Sequence, residues 1–349
     1  MWFISDLHLG DGTPSDVFFG KDRHLLALLR KVTRLGATLV VGGDAMDFHQ
    51  ALSFTRILRA HGEVLDALSQ LARAGRLYYI VGNHDYDIGL YKEILQFRVC
   101  DELRLGAKVR VTHGYEHDPF HAAQDLAKAQ WGTKIHHFVE RYLDTWIRIP
   151  LGEYYTLPNR FTFWMFYNLG TIAHAWATVM GWLGYTRSLE AIDRTLDFWA
   201  RSNMGDPMCM FQSVWSELDD TPFDFIVCGH SHLPGLVRKG AKTYVNTGSW
   251  TFSSSQYAVW DGADFRSSDW ITSIDYGADL YQPLIRGAID EKNFWQWWRE
   301  NYMGLLRFRE GEERAGRLRG WESYVRDYQR HSRQHQARPP RALPPEERA

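Results

Sequence analysis

Trp2-Phe3-Ile4-Ser5-Asp6-Leu7-His8-Leu9-Gly10 opens the chain, and Thr38-Leu39-Val40-Val41-Gly42-Gly43-Asp44-Ala45-Met46-Asp47 repeats its plan. Each is a short apolar run that ends in a polar turn bearing a carboxylate. The plan returns at Leu77–Val81 before Gly82-Asn83-His84-Asp85, at 108–112 before His113-Gly114, and at 224–228 before Gly229-His230-Ser231-His232. Apolar runs of this length predict strands over 2–5, 38–42, 77–81, 108–112 and 224–228, with two more over 242–246 and 256–260. Between the first of them, residues 23–34 and 54–73 carry the spacing of amphipathic helices. Strands alternating with helices predict an α/β fold whose helices cover the sheet.

The turns carry the chemistry. Residues two apart in an extended chain project to one face, so Asp6 and His8 can reach a common point, as can His230 and His232. Glycines beside Asp44 permit a tight turn, and the two oxygens of that carboxylate can bridge two ions. Asp47, one turn later, is placed to orient a neighbour. Asn83 offers a neutral carbonyl oxygen; His84 can face a leaving group, with Asp85 fixing its tautomer. Taken singly these signals are weak. Paired carboxylates at a helix start are ordinary caps, and a lone histidine is more often structural, the reading kept for His61, His174 and the pair His136-His137. Their joint recurrence after five strands is what points to a dinuclear site. Nitrogen and oxygen donors without thiolates suit manganese first, with iron, zinc or cobalt as alternatives.

Composition limits the partners. The 349 residues are 45% hydrophobic and 23% charged, with a net charge of −2, so no global field attracts nucleic acid or an anionic membrane. Cys100, Cys209 and Cys228 form no CxxC and are expected to be reduced thiols, with Cys228 buried. Met1 leads straight into the first strand without a signal-like segment, so a cytoplasmic protein is expected. Residues 161–186 contain no Asp, Glu, Lys or Arg and are long enough to span a bilayer. Site motifs flank them on both sides, however, and a single crossing would part those motifs. The expected organisation is a core of 1–116 and 223–275, with an aromatic-rich helical insertion over 117–222. A helical extension over 276–336 and a disordered tail over 337–349 complete it. The Trp/Arg mix at 294–309 reads either as a packed helix or as one lying on a membrane surface.

In this order SDLHLG, GGDAMD, GNHD, THG and GHSH resemble the calcineurin-like metallophosphoesterase superfamily, over residues 4–250. The resemblance implies a four-layer α-β-β-α sandwich. It also implies one divalent ion on Asp6, His8, Asp44 and His232, and a second on Asp44, Asn83, His113 and His230. Two such ions, about 3.5–4 Å apart, share a water that becomes the hydroxide nucleophile, and His84 and Asp85 are the catalytic candidates for the leaving group. GDAMDF and GNHD disfavour the protein Ser/Thr phosphatase branch, which carries GDxVDRG and GNHE. The insertion point and Asn246-Thr247-Gly248-Ser249-Trp250 are similar to UDP-2,3-diacylglucosamine pyrophosphatases, which differ in carrying Arg where this chain has His84. The implied substrate is a phosphate ester or anhydride, lipid-linked or a nucleotide diphosphate, and the aromatic insertion either contacts lipid, with peripheral membrane contact, or only packs on the core. The alternatives are a cyclic-nucleotide or nucleic-acid phosphodiesterase, and a phosphoesterase-fold scaffold without chemistry. Near-neutral charge counts against nucleic acid, and no ligand is missing as a scaffold would lead one to expect.

Overall fold

The apolar runs at the head of each motif are buried on both faces, because two sheets stack and helices cover them. The computed structural model describes residues 1–118, 171–191 and 209–276, apart from 14, 15, 19, 188, 252, 253, 272 and 274. In order these form β1 (Trp2–Ile4), α1 (Asp22–Arg34), β2 (Leu39–Val41), α2 (Phe48–Ala51), α3 (Phe54–Arg73), β3 (Leu77–Ile80), α4 (Lys92–Leu95), β4 (Val99–Cys100), β5 (Leu103–Leu105) and β6 (Val109–Val111). There follow α5 (171–182), α6 (Cys209–Asp220), β7 (Phe225–Cys228), β8 (Gly235–Lys239), β9 (Lys242–Asn246), β10 (Gln256–Trp260) and β11 (Phe265–Asp269).

One sheet has the order β11-β10-β1-β2-β3-β4 and the other β5-β6-β7-β9-β8. The central strands β1 to β4 run parallel, as do β6, β7 and β9. Alternation along each strand fills two separate layers. Trp2, Ile4, Leu39, Val41 and Tyr79 face α1 and α3, meeting Leu25, Leu28, Val64 and Leu68. Phe3, Val40 and Ile80 point the other way, against Val109, Val111, Phe225, Val227 and Val245 of the second sheet. Each such side chain stabilises the fold by roughly 1.5–3 kcal/mol when fully buried. On the far side of the second sheet, α6 buries Val214 and Leu218. It is fastened there by Lys239, whose Nζ donates to the Trp215 carbonyl (2.7 Å) and to Asp219 (2.6 Å). The result is an α/β sandwich of four layers, as the motifs imply.

Most of the expected insertion (117–222), the extension (276–336), the tail (337–349) and the pair His136-His137 lie outside the described residues. Among the described residues, no helix is long and apolar enough to cross a membrane. Cys100 and Cys228 are free thiols, Cys228 buried, and burial pushes the Cys228 thiol well up.

The loop after β1 is anchored to α3 by a buried ionic triad. α3 loses helical geometry at His61 (φ −128°, ψ 28°), whose Nδ1 meets Asp22 at 2.7 Å and Nε2 meets Asp16 at 2.8 Å. Burial pulls the imidazole pKa down, but the hydrogen bonds and charges of Asp16 and Asp22 outweigh it and raise it to about 10. A raised folded-state pKa contributes stability that is complete below the unfolded value of about 6.5 and disappears as pH rises through the folded value. His61→Gln strands the buried Asp16 carboxylate, a loss of about 3–5 kcal/mol for a broken buried pair. The gap from wild type is expected to be widest near pH ~6 and to close towards pH ~10. Denaturant titrations at the two pH values test this; an equal gap at both contradicts it.

Candidate metal centre

The carboxyl ends of β1, β2, β3, β6 and β7 meet at one edge of the sandwich, where open α/β sheets place their sites. Asp6 and His8 leave β1 and run beside the turn after β2: Asp6 N donates to Gly43 O (3.0 Å), His8 N to Asp44 O (2.9 Å) and Leu9 N to Ala45 O (2.9 Å). Asp6, His8, Asp44, His230 and His232 all take positive φ, between 48° and 62°. This corrects the expectation of extended pairs. The alternate side chains converge because left-handed turns aim them, not because a strand continues. Left-handed backbone is costly for non-glycine residues, of order 1–3 kcal/mol each, and persists where the surroundings over-determine it.

Two glycines make the approach possible. Gly43 adopts φ +94°, and a Cβ there would lie 2.4 Å from His113 Nδ1. A Cβ on Gly82 would lie 2.1 Å from Asp44 Oδ1.

The turns bring together all seven residues expected as ligands. His113 Nε2 lies 3.3 Å from Asp44 Oδ2 and 3.1 Å from Asn83 Oδ1. His232 Nε2 lies 3.2 Å from Asp6 Oδ1. His8 Nε2 lies 3.8 Å from Asp44 Oδ2 and 4.0 Å from Asp6 Oδ1. The His230 ring stands 5.2 Å from that of His113, and its backbone N–H donates to Asp6 Oδ2 (3.0 Å). Donor atoms of Asp6, His8 and His232 lie within 4.8 Å of one another, and so do those of Asp44, His113 and His230.

His113 shows what this donor set suits. Its Nδ1 is 2.8 Å from the Gly42 carbonyl, which can only accept, so Nδ1 carries the proton. In the neutral ring Nε2 is then a lone pair, and it faces oxygens of Asp44 (Oδ2) and Asn83 (Oδ1). Lone pairs do not converge in a buried place without a cation between them. His8 repeats the arrangement, with Nδ1 held 3.1 Å from Asp47 Oδ2 and Nε2 turned to Asp6 and Asp44. A metal-binding imidazole is oriented in this way, by a partner on its other nitrogen. Without such a cation the protons answer instead. Burial lowers the His113 pKa, but the Asp44 and Asp6 charges outweigh it and raise it to about 10. Burial likewise raises Asp44, and the facing imidazoles, His113 first, hold it well below the carboxylate range.

His84 is buried, and its Nδ1 lies 3.1 Å from Asp47 Oδ1. Asp47 thus fixes both His8 and His84, one through each oxygen. Asp85 does not orient its neighbour His84, as the sequence reading expected. It accepts from the backbone N–H of Ala45 (2.8 Å) and Gly82 (2.7 Å) and from the Tyr79 hydroxyl (2.5 Å). Successive residues diverge, so Asp85 points back under the turns and holds the Asp44 and Asn83 loops together. Burial, then the nearby Asp44 charge, push its pKa up to about 6.

Two residues at the site were not found from the sequence. Asp118 Oδ2 lies 3.0 Å from His230 Nε2 across 112 residues of chain, and no local pattern announces that meeting. His49, half-buried on α2, places its ring 4.9 Å from that of His84. Its place two residues after Asp47 was the available signal.

A strained, buried cluster of carboxylates and imidazoles at the strand ends of an α/β sandwich defines a metallohydrolase. The chain belongs to the calcineurin-like phosphoesterase family, whose model matches residues 1–234, and it is a metallophosphoesterase. No curated protein matches it. Among solved structures it is similar to a conserved uncharacterized protein from Streptococcus pneumoniae, described as a predicted phosphoesterase. That match has 11% identity and a TM-score of 0.31, covering 77% of this chain and 88% of that one. It is also similar to a dimetal phosphatase from Danio rerio, with 13% identity and a TM-score of 0.37, covering 77% of this chain and 94% of that one.

Proposed function

We propose that this chain is a binuclear-metal phosphoesterase that hydrolyses a phosphoanhydride or phosphodiester of a lipid-linked substrate. The observation that carries the metal reading is the crowding of the imidazole nitrogens of His8 and His113 against the carboxylate oxygens of Asp6 and Asp44. Asp6, His8, Asp44 and His232 would hold one ion, and Asp44, Asn83, His113 and His230 the other, with Asp44 shared and manganese the leading candidate. When bound, such ions neutralise charge on the phosphoryl oxygens and acidify water. The protein's own groups set the rest. Asp47 holds Nδ1 of His84, which leaves Nε2 as the nitrogen able to hand a proton to the departing oxygen. Asp118 and Asp47 keep the imidazoles of His230 and His8 in register, and Asp85 secures the loops from beneath.

The lipid-linked part rests on α5. Ile172, Trp176, Val179 and Leu183 recur at helical spacing, and all are exposed, as is Trp182 at 81%. An amphipathic helix ordinarily turns such a stripe inward, and an exposed apolar face suits acyl chains or a membrane surface. On this reading the insertion over 117–222 is a lid beside the core of 1–116 and 223–275, and the protein works peripherally on the membrane.

The test is hydrolysis of UDP-diacylglucosamine, bis-p-nitrophenyl phosphate and cyclic nucleotides with Mn²⁺, with and without chelator. Turnover is expected on the lipid-linked substrate and to stop with chelator. Changing Trp176 and Trp182 together to Ser should lower kcat/KM for the lipid about tenfold, ~1.4 kcal/mol, and spare the small diester. Cyclic-nucleotide turnover alone, or equal losses on both substrates, contradicts the proposal.

A further inference from the structure

A row of imidazoles leads out of the cluster. The His232 ring stands 5.3 Å from His8, His8 stands 4.7 Å from His84, and His84 stands 4.9 Å from His49. The last is half-buried, so the row ends at solvent. Donor atoms of Asp47, His49 and His84 lie within 4.8 Å of one another, and His84 joins this group to the inner cluster through a second one with His8 and Asp44. Nothing in the proposed hydrolysis uses His49.

We infer that Asp47, His49 and His84 form a third, outer divalent-cation site, selective for zinc, which silences the enzyme when filled. Two imidazoles and one carboxylate with a fourth place open to water form a common tetrahedral zinc set. The site is open on the His49 side and shares Asp47 and His84 with the inner cluster, so it fills after the inner ions and binds more weakly. A cation held between Asp47 and His84 replaces the 3.1 Å contact of Asp47 Oδ1 with His84 Nδ1, and with it the restraint that presents Nε2 to the leaving group. The site therefore acts as a zinc-sensitive brake, which rests on the role proposed for His84.

Equilibrium dialysis of the full chain against rising free Zn²⁺, read by elemental analysis, tests the site directly. Wild type is expected to take up one more equivalent than His49→Ala at high zinc. Turnover of UDP-diacylglucosamine by wild type, whose phosphate leaving group needs the proton, should fall at least tenfold over the same range. His49→Ala, altered only at a half-exposed ring, should match wild type at low zinc and stay active at high zinc. Equal zinc stoichiometry in the two proteins overturns the site, whatever the activity. A missing equivalent in the variant with identical zinc inhibition overturns the brake, and a variant already slow at low zinc makes His49 a substrate contact instead. Failure of the proposed function reads differently: neither protein would then hold the inner ions or hydrolyse UDP-diacylglucosamine.

Discussion

His84→Ala is expected to keep its metal ions and lose roughly 10²–10⁴ in kcat, the range associated with one positioned acid or base. The ring belongs to neither proposed ligand set, although a nitrogen of it lies within 4.8 Å of donor atoms of Asp44 and His8, and Asp47 still reaches His8 through its other oxygen. Metal content should therefore stay at the wild-type value while turnover falls. The loss should also depend on the leaving group. An alkoxide or phosphate of high pKa needs the proton, whereas p-nitrophenolate departs with little help, so the deficit should shrink on bis-p-nitrophenyl phosphate. A uniform loss across leaving groups, or full activity, contradicts the role. Filling of the void is controlled by His84→Gln, which retains bulk and should lose activity equally.

Asp44→Asn should have the largest effect in the molecule. The carboxylate is almost wholly buried; Oδ1 accepts the His84 backbone N–H at 2.7 Å, and Oδ2 faces His113 and His8. An amide of the same shape keeps the backbone contact but removes the charge shared by both ligand groups. Both ions should be lost, and activity should fall more than about 10³-fold, beyond the 10²–10³ associated with one stabilising group. Elemental analysis finding two ions retained would reject Asp44 as the shared ligand.

Legibility in the sequence followed burial. β1, β2, β3, β6, β7, β9 and β10 were readable because apolar residues fill the layers on one or both of their faces. β4, β5, β8 and β11 were missed. The first two are two and three residues long, and β11 reads Phe265-Arg266-Ser267-Ser268-Asp269. β4, β5, β8 and β11 are edge strands, where one neighbour suffices, and β11 breaks the apolar pattern by burying Ser267 and Asp269. At the site, five motifs announced themselves because each turn follows its strand directly. The left-handed turns at Asp6, His8, Asp44, His230 and His232 did not, since strain of that kind is imposed by tertiary contacts. Asp85 was misplaced for a related reason: adjacency in sequence suggested a partner for His84, while the chain sends the two side chains apart and supplies Asp47 from another turn.

The most direct measurement is electron paramagnetic resonance of the wild-type protein loaded with two equivalents of Mn²⁺. Ions caged by Asp6, His8, Asp44, Asn83, His113, His230 and His232, about 3.5–4 Å apart, should give an exchange-coupled spectrum. Two independent, uncoupled manganese signals would contradict the account.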